Sequence, residues 1–444
     1  MENKNILENE NITKLFFKFA IPSIFGMLIV SLQIMVDGMF LGQNVGPMGL
    51  AAVNLSMPLI NFLMSIGLMI CVGGGVITSI YKGNKKIKKY REITTITLGL
   101  LIFVLEFLSI TVLLKLDFFI KVLGANENIY PYVRAYMIPM MIGAFFYTAP
   151  IFTETFIKIE EKPNFVFISG LTCLVFNVIL DYLLIVRLKL GMTGGASATI
   201  IACAFGFFAL LPNLRFKLPR KKIGYYINDI KNIFYNGSSE MLSVVSSTFA
   251  MYLFNLVIMD KIGVLGVSAL TIVFYINQLL NISLYGLSQA LQPLVAYNLG
   301  ARHLDKIKKV LKVSLITGGS LGVIAYIGSH LWGTFIIKIF SKGNQELIDL
   351  AGTALFYVSF AYLISFANII STSFLTSIEK PLESVIVSMG RSIVFIAIPL
   401  FILPNIIGSK GIWLSIPIAE ILCLIVSFYL MKKSILYLER KLKY

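Results

Sequence analysis

The sequence predicts an all-α polytopic membrane protein with twelve transmembrane helices, arranged as two pseudo-symmetric six-helix bundles. Three observations lead to this fold class: an apolar composition, apolar runs that recur along the whole chain, and an internal repeat. Of the 444 residues, 57% are hydrophobic and 14% are charged, whereas about 25% are charged in an ordinary soluble domain. The mean hydropathy of +0.85 therefore predicts an integral membrane protein.

Apolar runs of about 20 residues are long enough to cross roughly 30 Å of hydrocarbon as α-helices. We predict twelve such spans, at 16–40, 50–80, 92–114, 134–157, 164–186, 194–214, 238–260, 267–298, 310–332, 352–376, 384–405 and 411–431. The second and the eighth are long for a simple crossing, so we expect them to tilt or to extend beyond the membrane.

Basic residues concentrate in alternate connections between the spans. They cluster at 82–91, 215–231 and 302–312 and in the tail at 432–443. Because an excess of Lys and Arg marks cytoplasmic loops, both termini are predicted to be cytoplasmic, in a protein of the cell (inner) membrane. These loops also explain the net charge of +16, so we expect the lipid bilayer as a partner and no binding of nucleic acid. We further expect the protein to be a monomer.

Four short motifs recur in the same order at nearly one offset. Gly46-Pro-Met-Gly matches Gly263-Val-Leu-Gly, Tyr81-Lys-Gly-Asn matches Asn298-Leu-Gly-Ala, Ile159-Glu-Glu-Lys-Pro matches Ser377-Ile-Glu-Lys-Pro, and Gly191-Met-Thr-Gly matches Gly408-Ser-Lys-Gly. The predicted domains are an N-lobe at 1–214, a basic cytoplasmic linker at 215–236 and a C-lobe with a cytoplasmic tail at 237–444. Parallel repeats of this kind are typical of transporters that hold substrate between two halves.

A carboxylate, Asp37, lies inside the first apolar span. A charge in hydrocarbon costs at least about 2.5–3.5 kcal/mol, so this side chain should face protein or a water-filled cavity. Asp181 lies at the same predicted depth in the fifth span, and Asn177 shares its helix face four residues earlier. Two carboxylates and an amide can share a proton or bind Na⁺, which predicts a cation-coupling site. The alternative is that each side chain caps or pairs locally near the membrane surface.

Four other carboxylates inside the predicted spans are candidates for a structural or functional role. Glu154 and Lys158 are four residues apart and are predicted to form a helical ion pair. Glu240 opens the seventh predicted span, where an acid suits the helix dipole. Glu106 and Glu420 lie near the middle of the third and twelfth spans, where an idle carboxylate is expensive. Glu106, Glu240 and Glu420 are the candidates for lining a substrate cavity.

The sequence contains neither a catalytic constellation nor a Walker motif. We therefore expect no enzyme activity and no cofactor, with H⁺ or Na⁺ as the coupling ion. The four cysteines all fall inside apolar spans without the spacing of metal ligands, and they are interpreted as small apolar residues.

Several motifs of the chain are shared with one known family. They are Ala20-Ile-Pro, Val36-Asp-Gly-Met-Phe-Leu-Gly, the Glu-Lys-Pro loops after spans four and ten, and Asn177-Val-Ile-Leu-Asp followed by Gly-Met-Thr-Gly-Gly-Ala. By these motifs the chain resembles the multidrug and toxic compound extrusion (MATE) family, particularly its DinF-like and related bacterial members. The likeness covers essentially the whole chain. It implies two six-helix bundles in a V shape and drug efflux by H⁺ or Na⁺ antiport, and it places the family's N-lobe cation site on Asp37, Asn177 and Asp181.

The chain departs from the family pattern in its C-lobe. Some relatives carry an acid in the middle of span seven and another in span ten, where this sequence has Val245-Ser-Ser-Thr and Asn368. Coupling is therefore expected to rest on the N-lobe. The predicted function is secondary active efflux of amphipathic, cationic drugs or toxic organic cations by alternating access. The alternative is a lipid-linked oligosaccharide flippase of the same superfamily, which would favour more helices or an Arg-rich cavity.

Overall fold

A computed structural model describes residues 6–341 and 344–443 of the chain. Within these ranges the protein is helical and contains no β-strand. The α-helices are α1 (Ile6–Asn9), α2 (Ile12–Asn44), α3 (Pro47–Gly83), α4 (Ile87–Leu114), α5 (Leu116–Val122), α6 (Tyr130–Ile142), α7 (Ala144–Ile159), α8 (Asn164–Asp181), α9 (Gly191–Leu210), α10 (Ile227–Lys261), α11 (Val264–Gly300), α12 (Leu304–Ser341), α13 (Gln345–Ser359), α14 (Tyr362–Ser377), α15 (Pro381–Met389), α16 (Phe395–Ile407) and α17 (Ser409–Lys443). Two π-helical segments, Tyr182–Arg187 and Gly390–Val394, follow α8 and α15.

Ten helices in the described part of the chain are long and apolar enough to cross a bilayer. Two further pairs, α6 with α7 and α13 with α14, meet the same criterion together but are bent by 51° and 53°. Counting each bent pair as one crossing gives twelve by length and composition, as predicted. The second and eighth predicted spans correspond to α3 and α11, which have 37 residues each and exceed the length of a simple crossing.

The fourth and tenth predicted spans are not continuous helices. The fourth breaks at Gly143, where an added Cβ would collide with Ile200 of α9, and Pro139 removes a backbone donor four residues earlier. The tenth breaks directly before Tyr362, whose backbone carbonyl packs against Gly322 of α12 with no room for a side chain. In both halves, the break therefore coincides with a close approach to a neighbouring helix.

The seventh span starts earlier than the sequence predicts. Its first predicted residue is 238, but α10 begins at Ile227, inside the predicted linker. The first turns of α10 mix polar with apolar residues and so lack the continuous apolar run on which the prediction relied. Asp229 fixes this part of the helix, because it accepts a hydrogen bond from Tyr81 (2.6 Å) and pairs with Lys89 (3.1 Å). These contacts tie the segment to the ends of α3 and α4.

The chain divides into two compact units. The N-terminal unit comprises Ile21–Gly237 with the first residues of the chain, and the C-terminal unit comprises the chain from Ser238 onward together with Asn9–Ala20. The start of α2 thus belongs to the C-terminal unit, while the remainder of this helix, including Asp37, belongs to the N-terminal unit.

The internal repeat is visible in the backbone as four pairs of residues with positive φ. The pairs are Gly46 and Gly263 (88° and 85°), Lys85 and Arg302 (58° and 59°), Glu161 and Glu379 (66° and 60°), and Gly191 and Gly408 (56° and 64°). By their numbers, the members of each pair are 217 or 218 residues apart. Because positive φ is uncommon, its recurrence at one offset indicates equivalent turns in the two halves.

Within the N-terminal unit, α3 and the start of α10 approach each other through glycines. A Cβ added at Gly73 would collide with the backbone carbonyl of Ile233, and one added at Gly237 would collide with that of Met69. Small residues allow helix backbones to come this close in membrane proteins. The contact holds the start of α10, up to Gly237, within the N-terminal unit.

Candidate cation-binding site

The two predicted carboxylates lie at matching depths in the N-terminal unit. Asp37 is seven residues from the end of α2 at Asn44, which corresponds to about 10 Å along a helix. Asp181 ends α8 and is six residues from the end of the following π-helical segment at Arg187, or about 9 Å at the same rise. Both helices are odd-numbered crossings, so these ends belong to the same side of the membrane.

The structure brings all three predicted site residues together. The side chains of Asn177 and Asp181 lie beside that of Asp37, and both are fully buried. Thr199 of α9 donates a hydrogen bond to Asp37 Oδ2 at 3.2 Å. The carboxylates of α2 and α8 and the hydroxyl of α9 therefore form one cluster inside the unit.

Several polar atoms of this cluster have no hydrogen-bond partner among the described residues. They are Asp37 Oδ1, both carboxylate oxygens of Asp181 and both polar atoms of the Asn177 amide. Buried polar groups in proteins are nearly always paired, because each unpaired group costs about 1–3 kcal/mol. The cluster thus presents oxygen atoms that a proton or a small hard cation would satisfy.

Oxygen ligands of this kind suit Na⁺ chemically. The donors available are two carboxylates, an amide oxygen and a hydroxyl, and hard cations prefer such oxygens. Within the described ranges, no group of three or more His, Cys, Asp or Glu side chains is placed to hold a metal ion. A cation at this site would therefore be held by two acids with neutral oxygens, and a single shared proton would satisfy the same pair.

Close packing of α9 against α2 gives Asp37 its contact with Thr199. A Cβ added at Gly195 would stand 2.9 Å from Leu41 of α2, so the glycine allows the two helices to approach. Thr199 lies four residues after Gly195 and therefore on the same face of α9. Thr199 is not among the residues predicted from the sequence, although its spacing of four residues from Gly195 in the Gly-Gly pair was a signal that could have identified it.

Two tyrosines complete the surroundings of the carboxylates. Tyr136 of α6 is close enough to interact with the charges of Asp37 and Asp181, and Tyr147 of α7 with that of Asp37. Tyr136 is 7% exposed. Neither tyrosine was predicted as a site residue from the sequence. Tyrosines are numerous in this chain, and no spacing rule distinguishes Tyr136 and Tyr147 from the others.

The three predicted cavity acids lie elsewhere. Glu106 is half-buried on α4, near the backbone of Phe145. Glu240 accepts a hydrogen bond from Gln292 of α11 at 2.8 Å, and Glu420 is paired with Arg391. Their role in a substrate cavity remains a prediction.

The structure decides two predictions about acidic residues, the position of Glu240 in its helix and the ion pair of Glu154. Glu240 does not open its helix, since α10 begins thirteen residues earlier at Ile227, so the helix-dipole explanation is wrong and Gln292 is its partner. The predicted helical pair of Glu154 and Lys158 is confirmed, with its charged atoms 2.8 Å apart.

The chain is similar to known transporters along nearly its whole length. The MatE family profile matches residues 22–183 and 240–402, one segment in each half. "Multidrug export protein MepA" from Staphylococcus aureus is 24% identical over 436 residues, covering 94% of this chain and 92% of the relative. The protein of the same name from Staphylococcus haemolyticus is 24% identical over 437 residues, covering 95% and 94%.

Solved structures of transporters share the fold. The outward-facing conformation of a multidrug resistance MATE family transporter superposes with a TM-score of 0.91 at 19% identity, covering 98% of each chain. A MOP superfamily transporter from Pyrococcus furiosus superposes with a TM-score of 0.91 at 20% identity, again covering 98% of each chain. With the family profile matched in both halves, the chain belongs to the MatE family of membrane transporters.

Proposed function

We propose that this protein is a secondary active multidrug exporter, which exchanges amphipathic, cationic compounds for H⁺ or Na⁺. The observation that carries the proposal is the cluster that Asp37 forms with the buried Asn177 and Asp181 in the N-terminal unit, in which several oxygens are unpaired. The two relatives described above are named multidrug export proteins, which supports drugs as the substrate class.

Coupling requires that the driving cation changes the relative stability of two conformations. A cation that binds between Asp37 and Asp181 removes the cost of two unpaired carboxylates in close proximity. The state that encloses the pair then becomes favourable, whereas without the cation the like charges favour separation of α2 from α8. Such a difference in affinity is the free energy that antiport needs.

The proposal is tested by transport in proteoliposomes. Efflux of a fluorescent cationic dye is measured under an imposed pH gradient or an imposed Na⁺ gradient, with wild type, Asp37→Asn and Asp181→Asn. Each variant should lose gradient-driven efflux, because an amide neither binds the proton nor supplies the charge that attracts Na⁺. Asp260→Asn is the matched control, since Asp260 is 73% exposed at the end of α10.

Full gradient-driven efflux in both site variants would overturn the proposed coupling site. The gradient that supports efflux by the wild type identifies the ion. No dye efflux by folded wild type under either gradient would contradict the exporter itself.

We also propose that the protein is a monomer of the cytoplasmic membrane with both termini inside the cell. The basic loops support this orientation. A reporter enzyme that is active only outside the cytoplasm, fused after the C-terminal tail, should be inactive. Activity of that fusion would reverse the proposed orientation.

A further inference from the structure

A second charged cluster lies inside the C-terminal unit. Arg391 Nε donates a hydrogen bond to Glu420 Oε1 at 2.6 Å. Asn368 Nδ2 donates to Glu420 Oε2 at 2.7 Å, and Ser427 donates to Asn368 Oδ1 at 2.7 Å. Both oxygens of Glu420 are therefore satisfied, unlike the carboxylates of the N-terminal site.

Arg391 lies deep in its membrane span. It occupies the π-helical segment between α15 and α16, ten residues after Pro381 in the span Pro381–Ile407, which corresponds to about 15 Å from the start of the span. A guanidinium at that depth is too costly to face lipid. Yet its side chain is 22% exposed. The exposed part of this side chain must therefore face water rather than hydrocarbon.

The donors of Arg391 are only partly used. Of the five N–H donors of a guanidinium, the one on Nε binds Glu420. The two terminal nitrogens have no hydrogen-bond partner among the described residues. Tyr285 of α11, which is 43% exposed, is close enough to interact with the same charge.

The hydrogen bonds behind Arg391 hold its orientation. Ser427 orients Asn368, Asn368 orients Glu420, and Glu420 fixes the Nε edge of the guanidinium. The terminal edge is left to present a planar pair of donors, the geometry that binds a carboxylate with two parallel hydrogen bonds. Supporting hydrogen bonds of this kind are the means by which proteins pre-organise a binding group.

We propose that Arg391 is a subsite for a carboxylate group of the transported compound. This inference rests on the proposed export function. It adds zwitterionic amphipaths, which carry both a cationic centre and a carboxylate, to the proposed cationic substrates. Glu420 and Asn368 act as positioning residues, and Tyr285 lies close enough to interact with the same charge. Simple cations without a carboxylate would not use the subsite.

A matched pair of dyes tests this inference directly. A rhodamine that carries a free carboxylate and its methyl ester differ only in the group that Arg391 would bind. Equilibrium binding of each dye to purified protein is measured by fluorescence anisotropy, with wild type, Arg391→Gln and Arg391→Lys. Arg440→Gln is the matched control, because Arg440 is exposed near the end of α17.

Arg391→Gln should weaken binding of the acid by at least about tenfold, as expected for loss of charge-assisted hydrogen bonds. It should leave binding of the ester within about twofold, since the ester offers no charge for the guanidinium. Arg391→Lys should fall between the two, because an ammonium keeps the charge and loses the planar pair of donors.

Equal loss for both dyes would reduce Arg391 to a structural role and overturn the subsite. Unchanged binding of the acid by Arg391→Gln, or wild type that binds only the ester, would also overturn it. These outcomes are read from binding without any gradient. If the exporter proposal is wrong, the protein binds dye but shows no gradient-driven efflux, which is a different result from any of these.

Discussion

The hydroxyl of Thr199 donates a hydrogen bond to Asp37 Oδ2 at 3.2 Å, while Oδ1 of the same carboxylate is buried without a partner in the described structure. One oxygen is thus oriented by α9 and the other is left free beside Asp181. This division gives the candidate site one carboxylate oxygen that is held in orientation and one that is unpaired.

Thr199→Val removes that donor while it keeps the shape of the side chain. We expect the apparent affinity for the driving cation to fall about fivefold, because a hydrogen bond worth about 1 kcal/mol no longer orients Asp37. The initial rate of dye efflux, measured against the concentration of the driving cation, gives this affinity. Thr199→Ser should retain it, as should Thr111→Val on the exposed face of α4. Equal affinity in Thr199→Val and wild type would mean that α9 does not take part.

Gly73→Ala should destabilise the N-terminal unit. The added methyl group meets the backbone carbonyl of Ile233, so α3 and α10 must separate. The midpoint of thermal unfolding in detergent should fall clearly below that of wild type. Gly99→Ala is the control, because nothing lies within 4 Å of its added Cβ and alanine favours a helix. Equal midpoints for the two variants would show that the contact is loose.

Glu160, which follows the end of α7, predicts a pH dependence of stability. Burial raises the pKa of its carboxyl, opposed by Lys82 and Arg215. When the pKa of a carboxyl is higher in the folded state than in the unfolded state, its protonated form stabilises the folded protein. This stabilisation is fully present below the unfolded pKa of about 4.3 and is lost as the pH rises through the folded pKa. Glu160→Gln should therefore unfold at a higher temperature than wild type near pH 7.5, and the difference should vanish near pH 4.

The neighbouring residue is the control for that pH profile. Glu161 pairs with Lys82 at 2.8 Å, so Glu161→Gln should lower the unfolding temperature at pH 7.5. A Glu160→Gln variant that is less stable than wild type at that pH would show that its ion pairs outweigh its burial.

The pair of Arg391 and Glu420 predicts strong coupling in a double-mutant cycle. Glu420→Leu leaves a guanidinium at membrane depth without its counterion, and Arg391→Met leaves a buried carboxylate, so each single change should lower the thermal midpoint. The double variant should be more stable than either single variant, because removing both charges removes the desolvation cost. Additive losses would contradict a direct pair.

The sequence by itself determined the number of crossings, the repeat and the residues of the candidate cation site. Spans are read from composition because a helix in hydrocarbon must be apolar over about 20 residues. The repeat appears because equivalent turns need equivalent residues, as at Gly46 and Gly263. Asp37 and Asp181 were found because a carboxylate in hydrocarbon is costly enough to be conspicuous, and Asn177 because it lies four residues before Asp181 on the same helix face.

Only the tertiary structure decided which side chains meet. The pairing of Thr199 with Asp37 depends on how closely α9 approaches α2 at Gly195, and helix packing is not encoded in local hydropathy. The same holds for Arg391 and Glu420, which are 29 residues apart in sequence. The cost of a buried charge marked Glu420, and it would have marked Arg391 too, but contact between them arises from the fold.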